Sequence, residues 1–197
     1  MIKAPPRPAP KNAIQPPPRY KRIIVAMTGA SGAILGVRVL MALGHLNVET
    51  HLIMSNGPGT RSTPRSSAGI LQSYINYAQH VYDIDDMEAG IASGSFRIDG
   101  MIVVPCSMKT LAGIHNGLSR RRLVLVTRET PLSEIHLRNM LGVTRPGAVV
   151  FPPAPAFYTG QTSVDGLVNR SVARMLQLFD LYTKGAESCD LGYGNVN

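Results

Sequence analysis

The chain alternates short, nearly unbroken apolar runs with longer stretches in which apolar residues recur every three or four positions. Five runs, Ile23 to Thr28, Val48 to Met54, Met101 to Pro105, Leu123 to Thr127 and Ala148 to Phe151, have the length and composition of strands buried on both faces. Between them, Gly32 to Leu43, Ile70 to Gln79, Met108 to Leu118 and Leu132 to Leu141 read as helices, and Ser55 to Gly69 reads as a loop. The last helix has the sharpest pattern. Val164, Leu167, Val168, Val172, Met175, Leu176 and Phe179 form one stripe, with Ser163 as N-cap and Asp165 in the first turn. Buried strands joined by helices predict a single α/β domain, a doubly wound and mostly parallel sheet with helices on both faces. Ligands of such sheets bind beyond the carboxyl ends of the strands, so chemistry is sought in the residues that follow each strand.

After the first strand, Thr28-Gly29-Ala30-Ser31-Gly32 is a small-residue turn into a helix, where free N–H groups and the positive end of the dipole suit a phosphate. Any tight strand-to-helix turn can also use glycines for steric reasons. The second strand ends in Met54-Ser55-Asn56 with no acidic residue to hold a ribose, and Glu49 lies at its other end. A mononucleotide therefore fits better than a dinucleotide. The third strand runs into Cys106-Ser107-Met108-Lys109-Thr110, two hydroxyls and a lysine at a helix start. Cys106 reads more readily as a small buried residue than as a nucleophile. Ser93-Gly94-Ser95-Phe96, upstream, either approaches a ligand or turns the chain.

The fourth strand ends in Arg128-Glu129. Arginine suits a phosphate through its planar fork, and Glu129 can act as a general acid or base; a structural ion pair is the plainer alternative. After the fifth strand, the prolines of Phe151 to Tyr158 stiffen an apolar loop carrying an aromatic pair and one phenol, and Arg170 and Arg174 share a face of the last helix. His136, one turn into its helix, reads as packed or exposed rather than catalytic.

Charge changes this picture little. The net charge of +8 would suggest a nucleic-acid binder, but six of the 20 basic residues (Lys3, Arg7, Lys11, Arg19, Lys21 and Arg22) fall in an acid-free stretch that also holds seven of the 15 prolines. Residues 1–22 are thus expected to be a disordered basic tail or targeting segment, 23–182 the folded domain and 183–197 a C-terminal tail, with no nucleic-acid partner. An acid-free N-terminus is compatible with mitochondrial import, although its prolines and lack of serine before Ser31 leave a cytoplasmic location open. Two cysteines exclude a disulfide scaffold and a four-cysteine metal site, and no apolar run reaches the roughly 20 residues of a membrane span.

The strings TGASGAILGVRVL, SGSFRIDGMIVVPCSMKTLAGI, RRLVLVTRETPLSEIHLRNML and GAVVFPPAPAFY together closely resemble the UbiX-type flavin prenyltransferases, including fungal members called phenylacrylic acid decarboxylases, over most of residues 22–180. The resemblance implies a Rossmann-like or flavodoxin-like fold. It further implies a metal-independent homo-oligomer, dodecameric in the family, that transfers a dimethylallyl group from dimethylallyl phosphate or diphosphate to reduced FMN. Prenylated FMN then serves a partner UbiD-type decarboxylase. On matching positions, Gly29, Ala30, Ser31, Ser55, Ser107, Met108, Lys109, Thr110 and Arg128 would hold FMN. Tyr158 and Arg174 would hold the prenyl phosphate, and Glu129, with Ser31, would be catalytic, Glu129 carrying a proton to the leaving oxygen. Two departures stand out. Between Ile114 and Arg122 the family has a longer segment with an Arg and a Lys at the phosphate site, where this chain has HNGLSRR, and residues 56–69 lack the family's helical character. An FMN-binding subunit with impaired catalysis is therefore the alternative function, and direct decarboxylation of phenylacrylic acids a more distant one.

Overall fold

The computed structural model describes residues 21–55, 75–115 and 122–183. Six parallel strands form one sheet: β1 (Arg22–Met27), β2 (Glu49–Met54), β3 (His80–Asp83), β4 (Gly100–Cys106), β5 (Leu123–Thr127) and β6 (Val149–Val150), in the order β3-β2-β1-β4-β5-β6. Among the described residues four α-helices flank it: α1 (Ala33–His45), α2 (Met108–His115), α3 (Glu134–Thr144) and α4 (Val164–Gln177). The inner strands β1, β4 and β5 read as continuous apolar runs because both faces are covered, whereas β6, expected to be buried, is an edge strand with Val149 40% exposed. On one face, Val39 and Leu43 of α1 and Val172, Met175 and Leu176 of α4 pack over Ile23, Val25, Ile102 and Val104. On the other, Leu111 of α2 and Val143 of α3 cover Ala26, Val103 and Leu125. The doubly wound expectation holds.

Gly36 sets how closely α1 lies on the sheet. A Cβ there would stand 2.6 Å from the Val104 carbonyl oxygen and 2.7 Å from Met27 Cε, so only glycine permits the contact. Ser163 caps α4 as expected, its hydroxyl accepting from Gly166 N at 3.1 Å. Asp165 in the first turn pairs with Arg38 of α1 at 2.9 Å, tying the two helices together. Lys21 donates to the Phe179 and Asp180 carbonyls just past the carboxyl end of α4, where positive charge is favoured.

Several expectations need correction. The sheet has a sixth strand, β3, which the apolar pattern does not reveal because it is a short, mostly exposed edge strand. Val164, counted in the buried stripe of α4, is the first residue of that helix and is 77% exposed. Lys21 and Arg22, counted with the basic tail, are tied into the fold, and Arg22 opens β1. The remainder of that tail, the 56–69 loop, residues 70–74 of the Ile70 to Gln79 helix, residues 116–121 and residues 184–197 lie outside the described residues; in the described part of that helix only Ile75 is helical, and the chain turns through residues 76–77 toward β3.

Candidate active site

The carboxyl edge of the sheet begins where β1 ends. Thr28 is buried there and bridges β1 to β4: its hydroxyl donates to the Pro105 carbonyl at 2.9 Å and accepts from Ser107 N at 2.9 Å. Its amide also donates to the Pro105 carbonyl, and Ser55 N donates to Met27 O at 3.0 Å. These bonds set the turns after β1, β2 and β4 side by side. The sequence places Thr28 at the end of the strand and the start of the turn but gives its hydroxyl no role; its position before the glycine was the available signal.

The turn after β1 leads into α1 through Gly32, whose φ of 105° is left-handed and favours glycine. No side chain caps α1, and its first turn carries no acidic residue. Leu35 N donates to Gly32 O at 2.9 Å, while the N–H groups of Ala33 and Ile34 and the positive dipole end have neither a side-chain cap nor a repelling charge, which suits an anion. Gly29 and Ser31 are exposed and Ala30 is half-buried.

The turn after β4 is held by Ser107, which caps α2. Its hydroxyl accepts from Thr110 N at 3.2 Å and shares a hydrogen bond with Thr110 Oγ1 at 2.9 Å. Met108 starts the helix and Lys109 is exposed. Cys106 is fully buried and has no nucleophilic role to play, since burial pushes its thiol up to about 12.

At the end of β5, Arg128 and Glu129 are both exposed, and neither joins an ion pair among the described residues, so the structural-pair alternative is not what the chain adopts. Glu129 Oε1 accepts from Thr130 N at 3.0 Å, which orients the carboxylate and leaves its other oxygen open. Thr127, just before them, has a buried hydroxyl without a partner among the described residues, an orphan of the kind expected beside a ligand site. His136 is structural: its ring Nδ1 accepts from Ser133 N while Ser133 Oγ accepts from His136 N, a capping box at the start of α3.

Tyr158 and Arg174 come together elsewhere. They line a cavity of about 410 Å³ between the Pro-rich loop and α4, with Phe151, Ala154, Ala156 and Arg170. Apolar walls with two guanidinium groups and a phenol suit a small hydrophobic group bearing a phosphate. The residues of the turns after β1, β4 and β5, Glu129 among them, do not line this cavity. Tyr158 is 88% exposed and Phe157 77%, so the aromatic pair has little cover within one chain.

The Flavoprotein family pattern matches residues 15–163. The flavin prenyltransferase PAD1, mitochondrial, of Saccharomyces cerevisiae is 46% identical over 180 residues, covering 84% of this chain and 74% of the yeast protein. The chain belongs to the UbiX-type flavin prenyltransferase family. Among solved UbiX structures, AnUbiX (PadA1) in complex with FMN and dimethylallyl pyrophosphate is 55% identical, with a TM-score of 0.76 covering 84% of this chain and 95% of that one. A dodecameric FMN-dependent UbiX-like decarboxylase from Escherichia coli O157:H7 is 46% identical, with a TM-score of 0.75 covering 82% and 95%.

Proposed function

We propose that this protein is a flavin prenyltransferase, joining a dimethylallyl group from dimethylallyl phosphate or diphosphate to reduced FMN. The observation that carries the reading is the uncapped, acid-free N-terminus of α1 set by Thr28 beside the Ser107–Thr110 turn, on a chain with flavin prenyltransferase relatives. The residues present fit FMN: Gly29, Ala30 and Ser31 for its phosphate, with Ser55, Ser107, Met108, Lys109, Thr110 and Arg128 around it. Reduced FMN, the acceptor substrate, supplies the nucleophilic ring atoms that take the allylic carbon.

The chain's own groups manage the leaving phosphate and the surrounding water. As the allylic C–O bond breaks, its electron pair goes to the phosphate oxygen, and positive charge from Arg174 and Arg170 with the Tyr158 hydroxyl favours that separation. Glu129 does not line that cavity within one chain, so it carries a proton to or from the departing oxygen where subunit assembly brings the two together. Phe151, Ala154 and Ala156 exclude water that would otherwise capture the allylic carbon.

Assembly fits the same reading. Ile135, Leu137 and Leu141 of α3 are exposed, as are Phe157 and Tyr158, and such apolar surface is ordinarily covered by another subunit. We assign a homo-oligomer in which neighbouring chains cover the aromatic pair, as the dodecameric relative suggests. A UbiD-type decarboxylase would take the product, and the yeast relative's name favours a mitochondrial location. None of the described helices is long and apolar enough to cross a membrane.

The test is incubation of the full chain with reduced FMN and each prenyl donor under anaerobic conditions. A flavin heavier by one prenyl unit is expected by mass spectrometry. FMN bound without any mass gain from either donor would instead favour the impaired-subunit reading raised by the short stretch between Ile114 and Arg122.

A further inference from the structure

At the opposite end of the strands, the amino edge, pairing register brings together residues that are far apart in sequence. His51 of β2 stands beside His80 of β3. Glu49, two residues before His51, and Tyr82, two after His80, fall on that same face because side chains alternate along a strand. Glu49 Oε1 lies 3.2 Å from His51 Nε2 and 4.0 Å from His80 Nε2, and one ligand atom from each of the three residues lies within 4.8 Å of the others.

We propose that Glu49, His51 and His80 form a binding site for a divalent first-row transition metal, joining β2 to the edge strand β3. Two imidazoles and a carboxylate are the donor set such ions prefer over calcium or magnesium. Metal–ligand distances of about 2.0–2.2 Å in a tetrahedral sphere place ligand atoms about 3.3 Å apart, so the Glu49–His51 pair is already spaced for it. His80, half exposed, stacks its ring on that of His51 with centroids 4.6 Å apart and swings out of this stack to bring Nε2 to the ion.

The surroundings orient the ligands. Tyr82 OH lies 3.0 Å from His51 Nδ1; when that nitrogen donates to it, Nε2 presents its lone pair toward Glu49. Arg22 Nε donates to the other carboxylate oxygen, Oε2, at 2.7 Å, which fixes the carboxylate and leaves Oε1 for the metal. A cavity of about 630 Å³ lined by Glu49, Arg22, Ser93, Ser95, Phe96 and Arg97 gives an ion access and leaves room for water at an open coordination position. The guanidinium groups of Arg22 and Arg97 disfavour a cation and moderate its affinity.

The test is calorimetric titration of the untagged, metal-free full chain with Zn2+, repeated for His80→Ala and Glu49→Gln, with Tm recorded for each protein with and without the ion. Saturable binding of one Zn2+ per chain is expected, weakened at least about tenfold in both variants. Zn2+ should raise the Tm of the parent chain and not that of His80→Ala, whose half-exposed ring is removed without opening the core. Absence of saturable binding in the parent, or undiminished affinity in both variants, would overturn the site.

Discussion

The two edges of the sheet handle polar groups in opposite ways. At the amino edge they satisfy one another: Arg22 donates to Glu49 through Nε and to Asp99 through its amide, Thr50 N donates to Gln79, and His51 reaches both Glu49 and Tyr82. At the carboxyl edge Thr28, Ser107 and Thr110 are bonded, but several other groups are left without an internal partner among the described residues. The helix N-terminus has no cap, Arg128 and Glu129 make no ion pair among the described residues, and the Thr127 hydroxyl is an orphan. Folding stability would be better served by pairing these groups internally. Their unpaired state marks the carboxyl edge as the one arranged for the flavin and the prenyl donor, whereas the amino-edge groups hold one another and contribute to stability.

The sharpest way to break this contrast is Glu129→Gln. Prenylation turnover should fall by about 10²–10⁴ if Glu129 carries the proton, with FMN affinity and Tm nearly unchanged because the side chain is exposed. Unchanged single-turnover rates would remove Glu129 from the mechanism. Thr28→Val comes next. It leaves the Ser107 amide without an acceptor and removes the donor to Pro105, costing about 1–3 kcal/mol in urea unfolding and weakening FMN binding as the two turns separate. Gly36→Ala should cost a similar amount, about 1–3 kcal/mol, by forcing a methyl against the Val104 carbonyl and lifting α1 away from the edge. Both should affect FMN binding and stability together, whereas Glu129→Gln separates them.

Those positions differ in how far the sequence discloses them. β1 and β5 are plain as apolar runs, and the stripe of α4 follows directly from its spacing, because burial on both faces or along one face imposes a pattern that a single segment can carry. β3 carries no such pattern: as an edge strand of four residues it keeps His80, Val81 and Asp83 exposed. Likewise the Glu49, His51, His80 and Tyr82 group depends on the pairing of β2 with β3, which is a tertiary fact. The turns at Gly29, Ser107 and Arg128 were legible from strand-end position, but the role of Thr28 in tying them was not, because a threonine suits a strand whether or not its hydroxyl is used. His136 was hidden for another reason: a ring nitrogen fills the place in a capping box where glutamate or glutamine is the usual sign.

The smallest expected effect concerns pH and the amino edge. Burial alone would raise the Glu49 carboxyl, but hydrogen bonds from Arg22 and His51 outweigh it and hold the group below its ordinary 4.5. The resulting stabilisation is complete above that pH and is lost as pH falls through the lower folded value. Burial holds His51 below its ordinary 6.5, so the unfolded chain takes up a proton first and stability declines as pH drops under 6.5. Cys106, pushed by burial to about 12 from 9.0, adds a decline above pH 9 as the unfolded thiol ionises. Each group contributes at most about 1.4 kcal/mol per pH unit over its own window. Urea midpoints from pH 4 to 10 should trace this dome, and a profile flat below pH 6.5 would remove the acidic limb assigned to the amino edge.

The most direct measurement is a pair of titrations of the folded full chain, one with FMN and one with riboflavin, followed by flavin fluorescence. If the N-terminus of α1 grips the phosphate, FMN should bind at least about tenfold more tightly than riboflavin, since the charge-assisted bonds to the phosphate are absent from the second ligand. Equal affinity for the two, or no affinity for either, would contradict a phosphate-gripping turn at the carboxyl edge.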